Sequence, residues 1–421
     1  MKTQLGRVKI AAVSAALLMV TAACSSGGGG FGGGSGTATG GGDATGPLTM
    51  LVAPSGAAEA SADASAAAAF TKQTGIKVTV IDATNMIQQL AQDYAANDAP
   101  DVFYLDTDSF QNYAKKGALY AYADQVPDPD DFYPALKSAF TYNGTFTCVP
   151  KDWSTLGLAI NESDWTAAGL TDADIPTTWS QLQTVAEKLT TSGRAGLVLA
   201  PDHTGVDDFI YQNGGSLLSE DEQSADIDST QNVAALSYVK GLLSSGAAKF
   251  PSALSAGWNG EAFGENKAAM TIVGNWLVGS MTSDYPSVNY KVVPLPAGPS
   301  GTKATLSFTN CWGVPSNDSK RDEAVKLAEF LSSPQQQLTF AKEFGVMPSR
   351  ESHATAWKQE FPAQAAFLSQ ASIAHPDLAI AGGTQTISNY DSLVAQLASS
   401  SPSTLLSTVQ QNFESVIKQN R

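Results

Sequence analysis

Tryptophan and aspartate recur along this chain in short polar contexts where packing alone explains neither. Trp276 stands in Gly274-Asn275-Trp276, after a strand-like run and before a helix-like one, which puts it at a strand's carboxyl end. Trp258 lies in the turn-like Ala256-Gly257-Trp258-Asn259-Gly260, where an exposed indole is wasteful unless it binds something. Asp106 and Asp108 close another strand-like run, and Ser55 follows a third. Indole faces cover the apolar C–H face of a ring, and carboxylates and amides accept and donate in its plane. That set grips a hydroxyl-rich ligand without breaking bonds. A carboxylate pair for glycoside hydrolysis can always be drawn from 40 Asp and Glu, so a secreted glycosidase stands as the less favoured alternative. The chain has no G-x-S-x-G elbow, H-E-x-x-H pair or phosphate loop. Three Cys and three His do not supply a zinc cluster by the usual spacings. Asp128-Pro129-Asp130-Asp131 lacks the glycine and terminal Glu of an EF-hand loop and reads as solvated surface. The expectation is a binder, not an enzyme, with no cofactor and no metal.

Charge narrows the partners. The formal net charge is −16 over 421 residues, which argues against nucleic acid and against an anionic membrane surface as partners of the folded body. The amino end reads as an address. Lys2, Arg7 and Lys9 precede a short apolar run, Ile10 to Val20, and small residues lead to Cys24. That run is too short for a permanent span, so residues 1–23 are expected to be an export signal. The cysteine at its end resembles the bacterial lipobox, which implies a lipoprotein carrying diacyl and palmitate chains on Cys24, with Thr21 where Leu is usual. Plain cleavage to a soluble secreted product is the alternative. Residues 24–46 are glycine-rich with Phe31 the one bulky side chain, a composition that makes a tether. Loss of the signal leaves the mature chain three charges more negative.

The elements that must hold these side chains in place begin at Leu48. Leu48–Ala53, Ile76–Ile81 and Asp101–Leu105 read as strands, with Ala57–Thr71 and Met86–Ala96 as the helices between them. A further helix begins near Phe110 and stops at Gly117. The β-α-β-α-β order predicts an α/β fold with a mostly parallel sheet, whose ligands sit at the strands' carboxyl ends. Ser55 and Asp106-Thr107-Asp108 lie at two such ends. Thr178–Leu189 and Asn232–Leu243 read as amphipathic helices, and Ala268–Val273 and Tyr290–Leu295 as strands. Ser319 with Asp322 predicts a capping box, and Ser333-Pro334 opens another helix. Trp165, Trp179 and Trp357 read as packing residues.

An ordered set of segments then points to a family. It runs through Gly75-Ile76-Lys77-Val78, Ala99-Pro100-Asp101-Val102, Lys116-Gly117-Ala118-Leu119 and Val149-Pro150-Lys151-Asp152. Leu158-Ala159-Ile160-Asn161, Ile175-Pro176-Thr177-Thr178-Trp179, Lys267-Ala268-Ala269-Met270, Gly274-Asn275-Trp276, Pro294-Leu295-Pro296 and Gly345-Val346-Met347-Pro348 follow. Over residues 48–421 the chain resembles the family 1 extracellular solute-binding proteins, the maltose/oligosaccharide receptors of ABC importers. The resemblance implies a two-lobed periplasmic-binding-protein fold of the class II type, each lobe a mostly parallel sheet flanked by helices. Residues 47–150 plus 314–362 would form one lobe and 155–309 plus 363–421 the other, with crossings at 148–153 and 309–313. It further implies a monomeric receptor on the outer face of the cell membrane that captures a di- or oligosaccharide between its lobes and delivers it to permease subunits. The same fold binding a non-carbohydrate solute is the alternative. By similarity Trp276 is the stacking tryptophan, and Asp106 or Asp108 and Asp202 supply carboxylates. Asp152, Trp153, Asn310 and Trp312 join Trp258 and Ser55 as candidates because they fall at or near the crossings and cleft. Cys148 and Cys311 fall at crossings that lie side by side in the family, which implies a disulfide between them.

Overall fold

The computed structural model describes residues 46–219 and 223–420. The signal, Cys24 and the tether up to residue 45 lie outside the described residues. The first half-sheet grows from β1 (Leu48–Val52), α1 (Ala57–Thr74), β2 (Val78–Asp82), α2 (Met86–Ala95), β3 (Val102–Asp106) and α3 (Thr107–Lys115). These are the elements that the apolar periodicity predicts, and β1 pairs parallel with both β2 and β3. α1 stops where Gly75 turns left-handed at φ 79°, a conformation that costs glycine little. A hairpin of β4 (Thr141–Tyr142) and β5 (Thr145–Phe146) follows. Then come β6 (Pro150–Asn161), β7 (Ala195–Val198), β8 (Ala248–Lys249), β9 (Ala268–Gly274) and β10 (Tyr290–Val293). β11 (Thr305–Gly313), β12 (Met347–Pro348) and β13 (Ala374–Pro376) complete the set.

The strand order is β2-β1-β3-β11-β6-β9-β7-β8, with β10 and β12 also on β6 and β13 on β11. The parallel expectation holds toward the two ends, for β2-β1-β3 and for β9-β7-β8. The middle is antiparallel: β11 runs against β3 and β6, and β6 against β9. β6 is buried along its whole length. Its first residues pair with β12 and β11, and its last with β9 and β10, so one strand serves both half-sheets. The segments 148–153 and 309–313 meet here, Asn310 opposite Asp152 and Cys311 opposite Pro150. Cys148 and Cys311 face each other with Cα atoms 5.7 Å apart, a span that a disulfide bridges.

Two large apolar cores flank this middle. One gathers β1, β3, Phe70, Phe110 and Leu327; the other gathers β7, Phe209, Leu236, Tyr390 and Phe413. A third cluster joins Met347 and Ala341 to Leu277, Met281 and Phe367. The helix Arg321–Leu331 starts without the Ser319 capping box: Lys320 is its N-cap, and the Lys320 N–H donates instead to Asp318 Oδ1 at 2.8 Å. Ser333 does cap the helix Pro334–Phe344, accepting from the Gln336 N–H.

Candidate ligand-binding cleft

Where the half-sheets meet, the chain leaves a cavity of about 160 Å³ lined from both sides. β1's carboxyl end brings Ser55, β3 brings Tyr104, and the paired middle strands bring Asp152, Ser154, Phe308 and Asn310. β9 ends in Gly274, after which Asn275 and Trp276 line the opposite wall. Trp276 is half-buried, edge-on to Phe308 with ring centres 5.4 Å apart and planes at 85°. Its ring lies over Gly274, where a Cβ would approach it to 2.0 Å.

Three polar groups line the cavity with this ring. Asn275 Oδ1 is buried with no partner, while its amide nitrogen donates weakly to the Trp153 carbonyl at 3.4 Å. Asp152 spends one oxygen on the Lys151 ammonium and leaves the other unpartnered. Asn310 lines the same cavity and is half-buried. A buried acceptor without a partner, as Asn275 Oδ1 is, is costly unless something supplies a hydrogen to it.

Along the cavity wall runs a charge network whose Glu59, Asp63, Tyr104 and Lys151 the sequence did not single out as site residues. Lys151 Nζ reaches Glu59 Oε1 at 2.9 Å and Asp152, and lies over the Tyr104 ring at 4.5 Å. The Tyr104 hydroxyl donates toward Asp63 at 2.8 Å and Glu59 at 3.0 Å. Ser55 closes the network, its N–H and hydroxyl donating to Glu59 Oε2 at 2.8 and 2.7 Å. Burial pushes Lys151 down, but Asp152, Glu59 and Asp63 overcome it and raise its pKa, so the ammonium stays charged. Glu59 is pushed up by burial and pulled further down by Lys151 and Ser55, ending below the usual carboxylate range. Asp63, with only partial compensation for its burial, is pushed up to about 7. A signal existed: Glu59 and Asp63 fall in helical phase with Ala66 and Phe70, two carboxylates on the apolar stripe of α1.

Several expected ligand residues have other tasks. Trp312 is fully buried against Tyr104, ring centres 5.0 Å apart, and is a packing residue. Trp258 occupies the N-cap position of the helix Asn259–Gly264 without a side-chain capping bond, its ring lies over Gly260, and it is not among the residues lining the cavity. Trp153 borders the cavity but is buried, its indole N–H donating to the Pro348 carbonyl at 3.1 Å. Asp106 caps α3 by accepting from the Ser109 N–H at 2.6 Å. Asp202 caps a short turn through the Thr204 N–H and hydroxyl. Asp108 accepts from the Thr384 hydroxyl at 2.6 Å and the Ile380 N–H at 3.4 Å. Carboxylates at strand ends make good helix caps, and Asp106 and Asp202 serve in that way. Trp276, Asp152, Asn310 and Ser55 do line the cavity. Trp165, Trp179 and Trp357 are buried packing residues.

A second cavity of about 430 Å³ opens between α3 and the segment after β13. Tyr211 and His375 stack on its wall with ring centres 3.9 Å apart and planes within 8°. Thr107 and Gln111 face them from α3. The cavities flank neighbouring positions of β11, since Ser307 pairs with Pro376 and Phe308–Asn310 line the first.

A sheet whose two ends carry separate cores, with a cleft where the middle strands meet, defines a two-lobed α/β fold. The sequence profile of the bacterial extracellular solute-binding proteins matches residues 65–367, and the chain belongs to that family. Solved structures share the fold. An ABC substrate-binding protein of Listeria monocytogenes, solved with cycloalternan, is 22% identical with a TM-score of 0.80, covering 88% of this chain and 99% of that one. The GacH receptor of Streptomyces glaucescens, solved with acarbose, is 23% identical with a TM-score of 0.79 over 88% and 99%. A Mycobacterium tuberculosis protein solved with glycerophosphocholine is 18% identical with a TM-score of 0.79 over 89% and 99%.

Proposed function

We propose that this chain is the carbohydrate receptor of an ABC importer, capturing a di- or oligosaccharide between its lobes and delivering it to membrane permease subunits. The carrying observation is that Trp276 lines one cavity with Asn275, Asp152 and Asn310, and that Asn275 Oδ1 is buried there without a protein partner. A pyranose offers the complement, an apolar face for the indole and hydroxyls for the acceptors. The Tyr211–His375 stack gives the second cavity its own aromatic platform, which supports more than one ring. The chain binds and releases without chemistry. Lipid on Cys24 holds the monomer at the outer face of the cell membrane, residues 24–46 give it reach, and the lobes divide at 148–153 and 309–313. Cys148 and Cys311 are bridged in the exported protein.

The relative solved with glycerophosphocholine raises a phosphodiester as a second reading. Charge disfavours it: Lys151 is already held by Glu59 and Asp152, and no arginine lines either cavity. A thermal-shift screen of the mature chain against neutral mono-, di- and oligosaccharides, with glycerophosphocholine alongside, tests the proposal, since a ligand that binds the folded state raises its melting point. A shift by glycerophosphocholine alone, or turnover of any glycoside, would overturn it.

A further inference from the structure

A row of polar contacts joins the two lobes beside the cleft. Asp108, Asn112 and Lys115 recur at i, i+4 and i+7 on α3, which places them on one face. The Thr384 hydroxyl donates to Asp108 Oδ2 at 2.6 Å and accepts from Asn112 Nδ2 at 3.1 Å. The Gly382 N–H donates to Asn112 Oδ1, and Lys115 Nζ donates to Asn420 Oδ1 at 2.9 Å. α3 is rooted in one core through Phe110, while the facing segment is rooted in the other through Ile380, Ile387 and Ile417. His203 holds that segment to its own lobe, with Nδ1 2.6 Å from Asp391 and Nε2 3.1 Å from Asp377.

We propose that this row is a clasp that holds the lobes together without ligand, so that Asp108, Asn112 and Thr384 set the closed population and do not touch the sugar. When the lobes part, the bonds to Thr384 and Gly382 must break, while the His203 contacts travel with their own lobe. Closure is then shared between ligand and clasp, and the ligand supplies only the remaining differential. The clasp rests on the two-lobed fold, not on the identity of the ligand.

Pulsed dipolar spectroscopy on the ligand-free mature chain, with one spin label on each lobe, reads the closed-to-open ratio directly. The unsubstituted chain should show a major closed population. Thr384→Val, which removes the hydroxyl that Asp108 and Asn112 both use, should lower the ratio roughly tenfold, the worth of one to two hydrogen bonds. Thr384→Ser should restore it. Should Thr384→Val fail to fold, Asn112→Ala should give a shift in the same direction. A fully open unsubstituted chain, or a distance distribution unchanged by these substitutions, would overturn the clasp.

Discussion

Trp276 owes its place to a residue without a side chain. Gly274 leaves the space in which the indole lies, and a methyl group there would meet the ring at 2.0 Å. Gly274→Ala should therefore displace the platform and weaken binding of whichever sugar the screen identifies, with the hydroxyl acceptors untouched. Titration calorimetry checks this, and an unchanged affinity would remove Trp276 from the site. Trp276→Ala should cost about 2–4 kcal/mol of binding, as central aromatic anchors do, read from the same titration. Lys151 is a different kind of residue, since it neutralises Glu59 and Asp152 in the cavity wall. Lys151→Met should destabilise the chain by about 3–5 kcal/mol in urea melts, because both carboxylates remain buried. Adding Glu59→Gln should recover part of that loss. The place of Trp276 at a strand's carboxyl end was legible in the sequence because Gly-Asn-Trp follows a strand-like run, whereas the room that Gly274 leaves was not. Trp258, read from its turn context, and Trp312, read from its place at a crossing, lie otherwise: one indole lies over Gly260, and the other fills a core. Residue type says what a side chain can grip, but direction comes from backbone that the sequence only outlines.

At the scale of elements, β1 to α3 were readable from apolar runs bounded by turn residues, and their observed limits differ by only a few positions. β6 was not readable as one strand. Covered on both faces, it lacks the alternation that marks a half-exposed strand. The Ser319 signature failed for a related reason, since Asp318 one step earlier offers its carboxylate to the Lys320 N–H first. β11 carries Cys311 to Cys148 across 163 positions of sequence. A non-reducing peptide map of the exported chain should recover the two in one cross-linked fragment. Cys148→Ser should then lower stability by about 2–5 kcal/mol in denaturant melts, the usual loss for a long native loop. Two free thiols in that map would refute the bridge.

For the whole molecule, charge and burial combine into a pH dependence opposite to common acid denaturation. Burial pushes Asp63 and Asp207 up to about 7 and Asp108 up to about 6. Between the unfolded carboxylate value near 4 and these folded values, the folded chain holds protons that the unfolded chain has released, so stability falls as pH rises. His203, raised well above its ordinary value against burial by its bonds to Asp377 and Asp391, adds stability that is lost as pH climbs further. The melting temperature should be higher at pH 5 than at pH 8, and Asp63→Asn should flatten the difference; a melting temperature that rises with pH would contradict this. The interleaved sheet has another consequence, one of timing. β11 stands between β3 and β6, so β3 lacks its inner neighbour until residue 313 has been made. The early segments must wait, unpaired at that edge, for a partner roughly two hundred positions downstream. A chain stalled on the ribosome before β11 emerges should therefore be cut readily by protease in its first lobe, and protection at that length would contradict a late closure of the sheet.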